Sequence, residues 1–253
     1  MSGDSYLREV LAAYSVERGP TSTTERAAKP LAAALKVRGG AALYGVAYSG
    51  SYAKGTGVSG TTDIDLFISL RSDTRGSLKD IYFSLVDLAQ EKGWKPRPQN
   101  VSIRVTSQGK HIDLVPAKKH AGFQHRHSLY SRSRDSWLQT NVSVHVDAVI
   151  RSERAEEIRA MKVWRTLNSL EFPSFYLELG VIQALRGTRR GNLAANVSRA
   201  LEWLSASIVG ARLVDPANSN NVVSECIGAP AKRAVAAAAE ASLRCRDWKE
   251  IIY

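Results

Sequence analysis

Three aspartates carry the clearest chemical signal in this sequence. Asp63 and Asp65 are separated by one residue in DIDLFISL, a segment otherwise rich in core-forming side chains. If this segment is a strand, residues i and i+2 project from the same face, so both carboxylates point the same way. Two carboxylates this close repel each other and lose hydration unless a cation lies between them. The spacing therefore favours a divalent metal site, with a solvated strand edge as the alternative.

Asp113, within HIDLV, is a candidate for a third ligand, although taken alone it is more simply explained as an ordinary strand residue. Three aspartates on adjacent strands could hold two Mg²⁺ ions roughly 4 Å apart, with Mn²⁺ as an alternative metal. Such a pair of ions orients an attacking hydroxyl and stabilises a leaving pyrophosphate during an in-line displacement. The predicted chemistry is therefore metal-assisted transfer of a phosphoryl-linked group.

A glycine-serine pair lies upstream, at the end of a predicted strand. Gly50 and Ser51 are suited to open a helix whose first backbone N–H groups hold a phosphate, and the Ser51 hydroxyl adds a donor. The later stretch GTGVSG also matches G-x-G-x-x-G, but a strand is predicted after it, so a dinucleotide-binding site is not indicated. A Walker A loop is excluded because Thr61 and Thr62 follow Gly60 where a lysine would be required.

Hydrophobic periodicity predicts an α/β half followed, from about residue 151, by a helical half. The predicted strands cover 41–48, 62–70, 101–106 and 111–115, the last two joined by a turn near Gln108-Gly109. Pro116 is predicted to end the last strand, and residues 118–135 to form a polar, basic connection. The predicted helices cover 5–17, 24–38, 78–92, 153 onward, 172–186, 196–210 and 231–245.

Charge and composition narrow the class of protein. The 253 residues carry a formal net charge of +11, which favours a polyanionic partner such as nucleic acid, a nucleoside triphosphate or a membrane surface, rather than a merely soluble basic protein. Two cysteines indicate neither a disulfide framework nor a cysteine-rich zinc site. Because the sequence contains no apolar run of about 18 residues and no secretory leader, we expect a cytoplasmic protein without a membrane partner.

Residues 104–134 are the most basic stretch, with seven Lys or Arg and one acid, Asp113. Aromatic residues accompany them at Phe123, Tyr130 and Trp137. This mixture is suited to gripping phosphates and stacking a base, and an ordinary exposed loop is the alternative. The histidines of this stretch do not indicate a zinc site, because no cysteine or carboxylate lies at a suitable spacing from them.

The glycine-serine pair, the D-x-D motif and a later aspartate together resemble the nucleotidyltransferase superfamily of DNA polymerase beta. Further segments resemble, in the same order, the oligoadenylate-synthase and cyclic-GMP-AMP-synthase-like enzymes and their bacterial relatives, the CD-NTases. These segments are HIDLVPA (111–117), WLQTN (137–141), IRAMKVWR (158–165), FPSFYLE (172–178) and DPANSNN (215–221). The resemblance spans roughly residues 40–221, and the compact chain lacks room for the tRNA-binding domain of a CCA-adding enzyme.

The resemblance implies a fold and a set of roles. The fold would be α/β (α+β), a polymerase beta-like palm with a mixed sheet over residues 1–150, including N-terminal helices, followed by a helical nucleotide-binding lobe over 151–253. Asp63, Asp65 and Asp113 would be the catalytic metal ligands, and Gly50 and Ser51 would hold the triphosphate. From the helical lobe, the implied nucleotide-binding residues are Lys162, Ser174 and Tyr176. A solvated helix lysine and a packed aromatic are the alternatives for Lys162 and Tyr176.

The function implied is template-independent joining of NTPs or dNTPs into a short cyclic or linear oligonucleotide signal, with release of pyrophosphate. ATP is among the implied substrates, the setting would be bacterial antiphage defence, and an effector protein would sense the product. One alternative is nucleotide transfer onto an RNA 3′ end or a protein side chain, including self-priming from Tyr253. The other is an inactive nucleotide-binding module, which the presence of all three aspartates argues against.

Overall fold

The computed structural model describes residues 2–60, 63–123 and 125–253. Its α-helices are α1 (Gly3–Ala13), α2 (Thr23–Gly39), α3 (Gly50–Lys54), α4 (Leu78–Glu91), α5 (Val142–Ser152), α6 (Ala155–Leu167), α7 (Ser174–Ala184), α8 (Leu193–Ser207) and α9 (Ala229–Leu243). Its strands are β1 (Leu43–Ser49), β2 (Ile64–Leu70), β3 (Arg97–Pro98), β4 (Ile103–Ser107), β5 (Lys110–Lys119), β6 (His127–Ser131), β7 (Ser136–Thr140), β8 (Val214–Asp215) and β9 (Asn218–Val222).

The chain divides into two compact units. Unit 1 contains Met1–Val16, Lys54–Thr61 and Asp147–Tyr253, and unit 2 contains Glu17–Ala53 and Thr62–Val146. The polypeptide therefore passes from unit 2 into unit 1 at Lys54, the last residue of α3, and returns to unit 2 before β2. The predicted boundary near residue 150 differs from this division, because α1 packs against α6 and α8 rather than with the sheet. The roles assigned to the two predicted domains stay predictions.

A mixed sheet forms the centre of unit 2. Its strand order is β1-β2-β5-β4-β3, and β6 pairs with both β5 and β7. β2 runs parallel to β5, whereas β1 and β4 run antiparallel to their neighbours. Strand β2 is buried along almost its whole length, and Asp65 is its one partly exposed residue. A strand covered on both faces reads as a continuous apolar run, so Asp65 stands out as a polar interruption.

Helices α2 and α4 cover the sheet of unit 2. Leu31 and Leu35 of α2 and Leu85 of α4 belong to the same buried cluster as the apolar side chains of β2, β4 and β5. A capping box between Ser77 and Asp80 fixes the start of α4 by satisfying backbone N–H groups that have no partner within the helix. This packing holds the central strands, and the acidic side chains on them, in a defined register.

Unit 1 is built from helices around a second apolar cluster. Leu7 and Leu11 of α1 pack there with Trp164 of α6 and Leu201 of α8. The fully buried Trp164 indole donates a hydrogen bond to Ser242 Oγ at 2.9 Å, which links α6 to α9. Apolar residues recurring at helical spacing on each segment account for this arrangement. In the described part of the chain, none of the helices has both the length and the apolarity needed to cross a bilayer.

The predicted fold class and most predicted elements are confirmed, and the structure differs from the prediction in four details. Residues 118–135 are not a connection, because they contain the end of β5 and all of β6. Pro116 does not end β5. The pairing of β5 with β4 stops at Leu114, so the edge of β5 that faces β4 needs no backbone donor at Pro116. Helix α5 and the strands β3, β7, β8 and β9 were not predicted. The strand predicted from Thr62 begins at Ile64, and Thr62 itself lies outside the described residues.

Candidate active site

Strand register brings the acidic residues of unit 2 together. Asp65 on β2 lies directly opposite Asp113 on the parallel strand β5. On the other side of β5, Arg104 of β4 lies opposite Asp113. Asp63 immediately precedes β2 and contacts the same arginine. Three strands and the entry to one of them therefore place three aspartates around one arginine, a group we call the carboxylate cluster.

Arg104 bridges two of these aspartates. Its Nε and Nη2 atoms donate to Asp113 Oδ1 and Oδ2 at 2.9 and 3.1 Å, a paired geometry that fits a planar carboxylate. Nη2 also donates to Asp63 Oδ2. With one arginine against three aspartates, the carboxylate cluster has a formal charge of −2. It therefore carries more negative charge than its own residues neutralise.

Electrostatics within the cluster reflect this excess. Burial raises the pKa of Asp63 above its ordinary value, the nearby Arg104 opposes that rise, and the Asp113 charge adds to it. Hydrogen bonding to Asp113 raises the pKa of Arg104, so the guanidinium stays charged. Ionised Asp63 is therefore held at some cost in free energy, and an additional cation would relieve that cost.

The donor set fits a hard divalent cation in chemistry and charge. Aspartate oxygens are the ligands that Mg²⁺ and Mn²⁺ prefer, and a net charge of −2 matches one such ion. Among the described residues, however, no group of three acids, histidines or cysteines already has a metal-holding arrangement. Arg104 instead bridges Asp63 and Asp113. Binding a metal through all three aspartates would require this arginine to give way.

Gly50 lies against the carboxylate cluster. Its φ of +56° is in the left-handed region, and a Cβ atom placed there would overlap Asp65 Oδ2 and approach Asp65 Cγ to 2.6 Å. No residue larger than glycine fits without displacing that carboxylate. Strand β1 ends at Ser49, opposite Asp65, and the five-residue helix α3 begins at Gly50. The predicted glycine-serine pair is thus adjacent to Asp65, and its role in holding a triphosphate stays a prediction.

Lys162 lies in unit 1 and is buried, with 3% of its surface exposed. Its Nζ donates to Glu178 Oε1 at 2.6 Å, to Thr56 Oγ1 at 3.0 Å and to the Thr56 carbonyl at 3.1 Å. An ammonium group has three N–H donors, so these contacts use all of them. Burial lowers the pKa of Lys162, and the Glu178 carboxylate opposes that shift. Lys162 is therefore not the solvated lysine of the alternative interpretation.

Glu178 joins two lysines. Its Oε2 atom accepts from Lys54 Nζ at 2.7 Å, and its Oε1 atom also accepts from Thr56 Oγ1 at 2.9 Å. Burial alone would raise the pKa of Glu178, but Lys162 and Lys54 together hold it below the ordinary value. The Lys54 ammonium also lies 4.4 Å from the centre of the Phe175 ring. We call Lys54, Thr56, Lys162 and Glu178 the lysine cluster.

The other two residues predicted in the helical part lie on α7. Ser174 Oγ accepts a hydrogen bond from Arg165 Nη1 at 3.2 Å. Tyr176 is fully buried, packs edge-to-face against Phe172, and donates to the Ile208 carbonyl at 3.4 Å. Burial raises the pKa of Tyr176 to about 12. Tyr176 thus occupies the position of a packed aromatic, and the nucleotide-binding roles of both residues stay predictions.

Sequence reasoning did not identify Arg104 or Glu178. Both had a detectable signal, because each is a single charge within an apolar segment, IRV in β4 and YLELGV in α7. A charge buried in such a segment needs a partner, since burying an isolated ion is very costly. The identity of each partner depended on the tertiary arrangement of separate strands and helices.

Known proteins resemble this chain in sequence and in fold, although no protein-family model matches it. An Escherichia coli (strain MS 115-1) cyclic AMP-AMP-AMP synthase is 26% identical over 151 residues, which cover 54% of this chain. That match spans about half, 47%, of the length of the synthase.

Solved structures share the fold over almost the entire chain. The E. coli MS115-1 CdnC:HORMA-deltaN complex contains a chain with a TM-score of 0.78 and 20% identity, covering 98% of this protein and 96% of that chain. The Bradyrhizobium diazoefficiens CD-NTase CdnG, solved in complex with GTP, has a TM-score of 0.73 and 14% identity, with coverages of 95% and 90%. The resemblance found in the sequence is confirmed: the chain is related to a cyclic AMP-AMP-AMP synthase and has the nucleotidyltransferase fold of the CD-NTases.

Proposed function

We propose that this protein is a template-independent, metal-dependent nucleotidyltransferase that joins nucleoside triphosphates into a short oligonucleotide signal. The single observation that carries the proposal is the register of Asp65 with Asp113 beside Gly50. That arrangement sets two carboxylates next to a backbone turn that admits only glycine. The relationship to a cyclic AMP-AMP-AMP synthase supports a cyclic product, and the GTP complex of a protein with the same fold supports a nucleotide substrate.

The carboxylate cluster would hold Mg²⁺, or Mn²⁺ in its place, through Asp63, Asp65 and Asp113. When bound, two such ions supply Lewis-acid stabilisation of the α-phosphate and of the leaving pyrophosphate. In the overall reaction a ribose hydroxyl attacks the α-phosphorus, a new P–O bond forms, and the bond to pyrophosphate breaks. The proton of that hydroxyl leaves towards Asp113, which we assign as the acceptor in the catalytic set.

The chain's own donors would bind the triphosphate. The backbone N–H groups at Gly50 and Ser51 and the Ser51 hydroxyl can point at phosphate oxygens without adding charge near the carboxylates. Lys162 would act from the helical unit by holding Thr56 and Glu178 in place, since its three donors are already engaged there. We therefore assign Lys162 as a positioning residue, and direct phosphate binding by it would need one of those bonds to break.

The setting we propose is the bacterial cytoplasm, where nucleoside triphosphates are available, and the role is antiphage defence. The product would be sensed by a separate effector protein. The CdnC structure with a HORMA domain supports a regulatory protein partner as a further possibility for this chain. Base preference and ring size depend on the shape of the nucleotide pocket and are decided by experiment.

The test is to incubate the purified protein with each NTP and dNTP, singly and in mixtures, with Mg²⁺ or Mn²⁺. Products are treated with phosphatase and identified by mass spectrometry, and the mass of the intact protein is measured in the same way. A phosphatase-resistant oligonucleotide that disappears in Asp65→Asn and persists in Asp73→Asn, an exposed control, supports the proposal. Nucleotide attached covalently to the protein would instead support the self-priming alternative. Absence of both product and nucleotide binding would contradict it.

A further inference from the structure

A second candidate site lies in unit 2, at the far ends of the strands that carry the aspartates. Asp65 is near the start of β2, and Arg71 directly follows the end of that strand. Six residues of strand span roughly 20 Å, so the two positions are well separated on one rigid element. A groove of about 350 Å³ opens at this end of the sheet. Its lining includes Tyr44, Arg71, Lys119, His120 and Phe123.

Exposed aromatic rings alternate with cations along this groove. The Lys119 Nζ atom lies 3.7 Å from the centre of the Tyr44 ring, and Arg126 Cζ lies 4.4 Å from the centre of the Phe123 ring. Tyr44 is 63% exposed and Phe123 is 48% exposed. Exposed aromatic rings beside cations are the combination that stacks bases in single-strand binding proteins. Each ring here has a cation on it and enough exposed area for a flat ligand.

Arg71 and Lys119 line the groove, and the segments that contain them are strongly basic. Lys118 Nζ donates to the Thr74 carbonyl at 2.6 Å, which ties the segment after β2 to the end of β5. Together, these two segments (71–75 and 118–126) carry five basic residues and one acid, Asp73, for a net charge of +4. Asp73 compensates little of it, because its contact with Arg71 is 3.8 Å long and both side chains are mostly exposed. The basic residues are Arg71, Arg75, Lys118, Lys119 and Arg126.

We propose that this groove binds single-stranded nucleic acid, with bases stacked on Tyr44 and Phe123 and phosphates held by Arg71, Lys119 and Arg126. Sequence-tolerant single-strand binders combine a basic track with aromatic stacking platforms in this way. A polymer fits better than a free nucleotide, because the cations are spread over two segments rather than directed at one point. A phospholipid surface is flat, whereas these rings and cations line a groove.

The site is independent of the proposed catalytic chemistry, which uses none of the groove residues. Binding can therefore be measured in EDTA, without nucleoside triphosphates, on the intact protein. The probe is a fluorescein-labelled 20-nucleotide RNA of mixed, unpaired sequence, and the readout is fluorescence anisotropy between 50 and 200 mM salt. For single strands, the slope of log K against log salt is about −0.7 for each phosphate neutralised.

The discriminating variants are Lys119→Gln and Tyr44→Ala, and the matched control is Lys92→Gln. Lys92 is an exposed lysine of the same unit, at the far end of α4 and roughly 20 Å along that helix from its start. We expect Lys119→Gln to weaken binding at least threefold and to reduce the salt slope by about 0.7. We expect Tyr44→Ala to weaken binding at least fivefold without changing that slope, since stacking carries no net charge.

Three outcomes would overturn the proposal. The first is equal weakening by Lys92→Gln and Lys119→Gln, which would indicate attraction to overall charge. The second is an affinity for ATP equal to that for the RNA, which would indicate a mononucleotide site. The third comes from an RNA carrying 4-thiouridine, if its cross-links fall only outside residues 44, 71 and 119–126. Thermal melting of each variant, compared with the unmodified protein, verifies that the fold is retained.

Discussion

The carboxylate cluster and the lysine cluster are both groups of opposite charges, but they are completed to different degrees. In the carboxylate cluster, three aspartates share one arginine, and the Arg104 and Asp63 side chains remain about a third exposed. In the lysine cluster, two lysines share Glu178, and all three side chains are at most 8% exposed. The carboxylate cluster has surplus formal negative charge open to solvent. The lysine cluster is enclosed, and all three N–H donors of Lys162 have acceptors within it.

This difference distinguishes a functional site from a buried ion cluster that stabilises the fold. A buried ion needs partners for its donors and acceptors, and the lysine cluster supplies them from within the chain. Among its own four residues the carboxylate cluster keeps a formal charge of −2, which an added divalent cation would neutralise. Perturbed carboxylates in an accessible position indicate a functional site more often than a fully satisfied buried pair does. The comparison therefore assigns the chemistry to the carboxylate cluster of unit 2. The lysine cluster of unit 1 has a structural role, which is to hold the segment 54–60 in place.

The largest expected effect is on turnover. Asp65→Asn should lower the rate of pyrophosphate release at least a thousandfold, about 4 kcal/mol of barrier, because it removes a ligand charge from the metal site. A coupled pyrophosphatase assay with saturating Mg²⁺ measures it. Asp73→Asn, in an exposed ion pair, should retain the full rate. Turnover of Asp65→Asn within tenfold of the unmodified protein would refute the metal assignment.

The second effect is on stability. Glu178→Gln removes the carboxylate that compensates two buried lysines, so we expect the free energy of unfolding to fall by about 3–5 kcal/mol. Urea denaturation followed by circular dichroism measures the change. Glu240→Gln breaks an exposed ion pair with Arg244 and should cost less than about 1 kcal/mol. Similar losses in the two variants would show that the lysine cluster is not a buried support.

The third effect tests Arg104 as the resident cation. In EDTA, Arg104→Gln should lower the free energy of unfolding by about 1–2 kcal/mol, because charge-assisted hydrogen bonds to Asp113 and Asp63 are lost. The melting temperature should fall accordingly. Mg²⁺ or Mn²⁺ should then raise the melting temperature more in the variant than in the unmodified protein, since the cluster charge changes from −2 to −3. An equal metal-induced shift in both proteins would mean that arginine and metal do not compete. Lys79→Gln, in an exposed pair, is the control.

The smallest effect concerns His127, a buried imidazole whose two ring nitrogens both have hydrogen-bond partners when the ring is neutral. Its ring contacts Ser69 Oγ at 2.8 Å and the His125 carbonyl at 3.1 Å. Burial lowers the pKa of His127 below 6.5, and the nearby Lys119 and His120 charges lower it further. The unfolded chain therefore takes up a proton before the folded one does, and stability is lost as pH falls below about 6.5.

His127→Gln should remove this part of the acid sensitivity. The melting temperature of the variant should change less between pH 7 and pH 5 than that of the unmodified protein, by no more than roughly 4 °C. Differential scanning calorimetry across this interval measures the difference. Identical pH profiles would indicate that His127 accepts a proton in the folded state, in contrast to its assignment here.

The parts of the fold that depend on local pattern were predictable. The apolar run from Ile64 and the paired aspartates indicated a central strand with a site at its start, and the register of β2 with β5 agrees with that. Strand β6 was missed because its polar sequence is stabilised by pairing with β5 and β7, which no local pattern reports. The Lys162–Glu178 contact joins residues on separate helices, so the sequence singled out Lys162 but indicated neither Glu178 nor their pairing.

Helix α1 has a consequence for how the chain is made. Its side chains pack with α6 and α8, and the Tyr6 hydroxyl donates to the Ile252 carbonyl, 246 residues later. At ribosomal speeds of about 5–20 residues per second, roughly 10–40 s pass between synthesis of Ala13 at the end of α1 and of Ser207 at the end of α8. Until α6 and α8 have also been synthesised, Leu7 and Leu11 have no helical unit to pack against. Nascent chains are therefore expected to expose an amphipathic segment to chaperones until α8 has been synthesised.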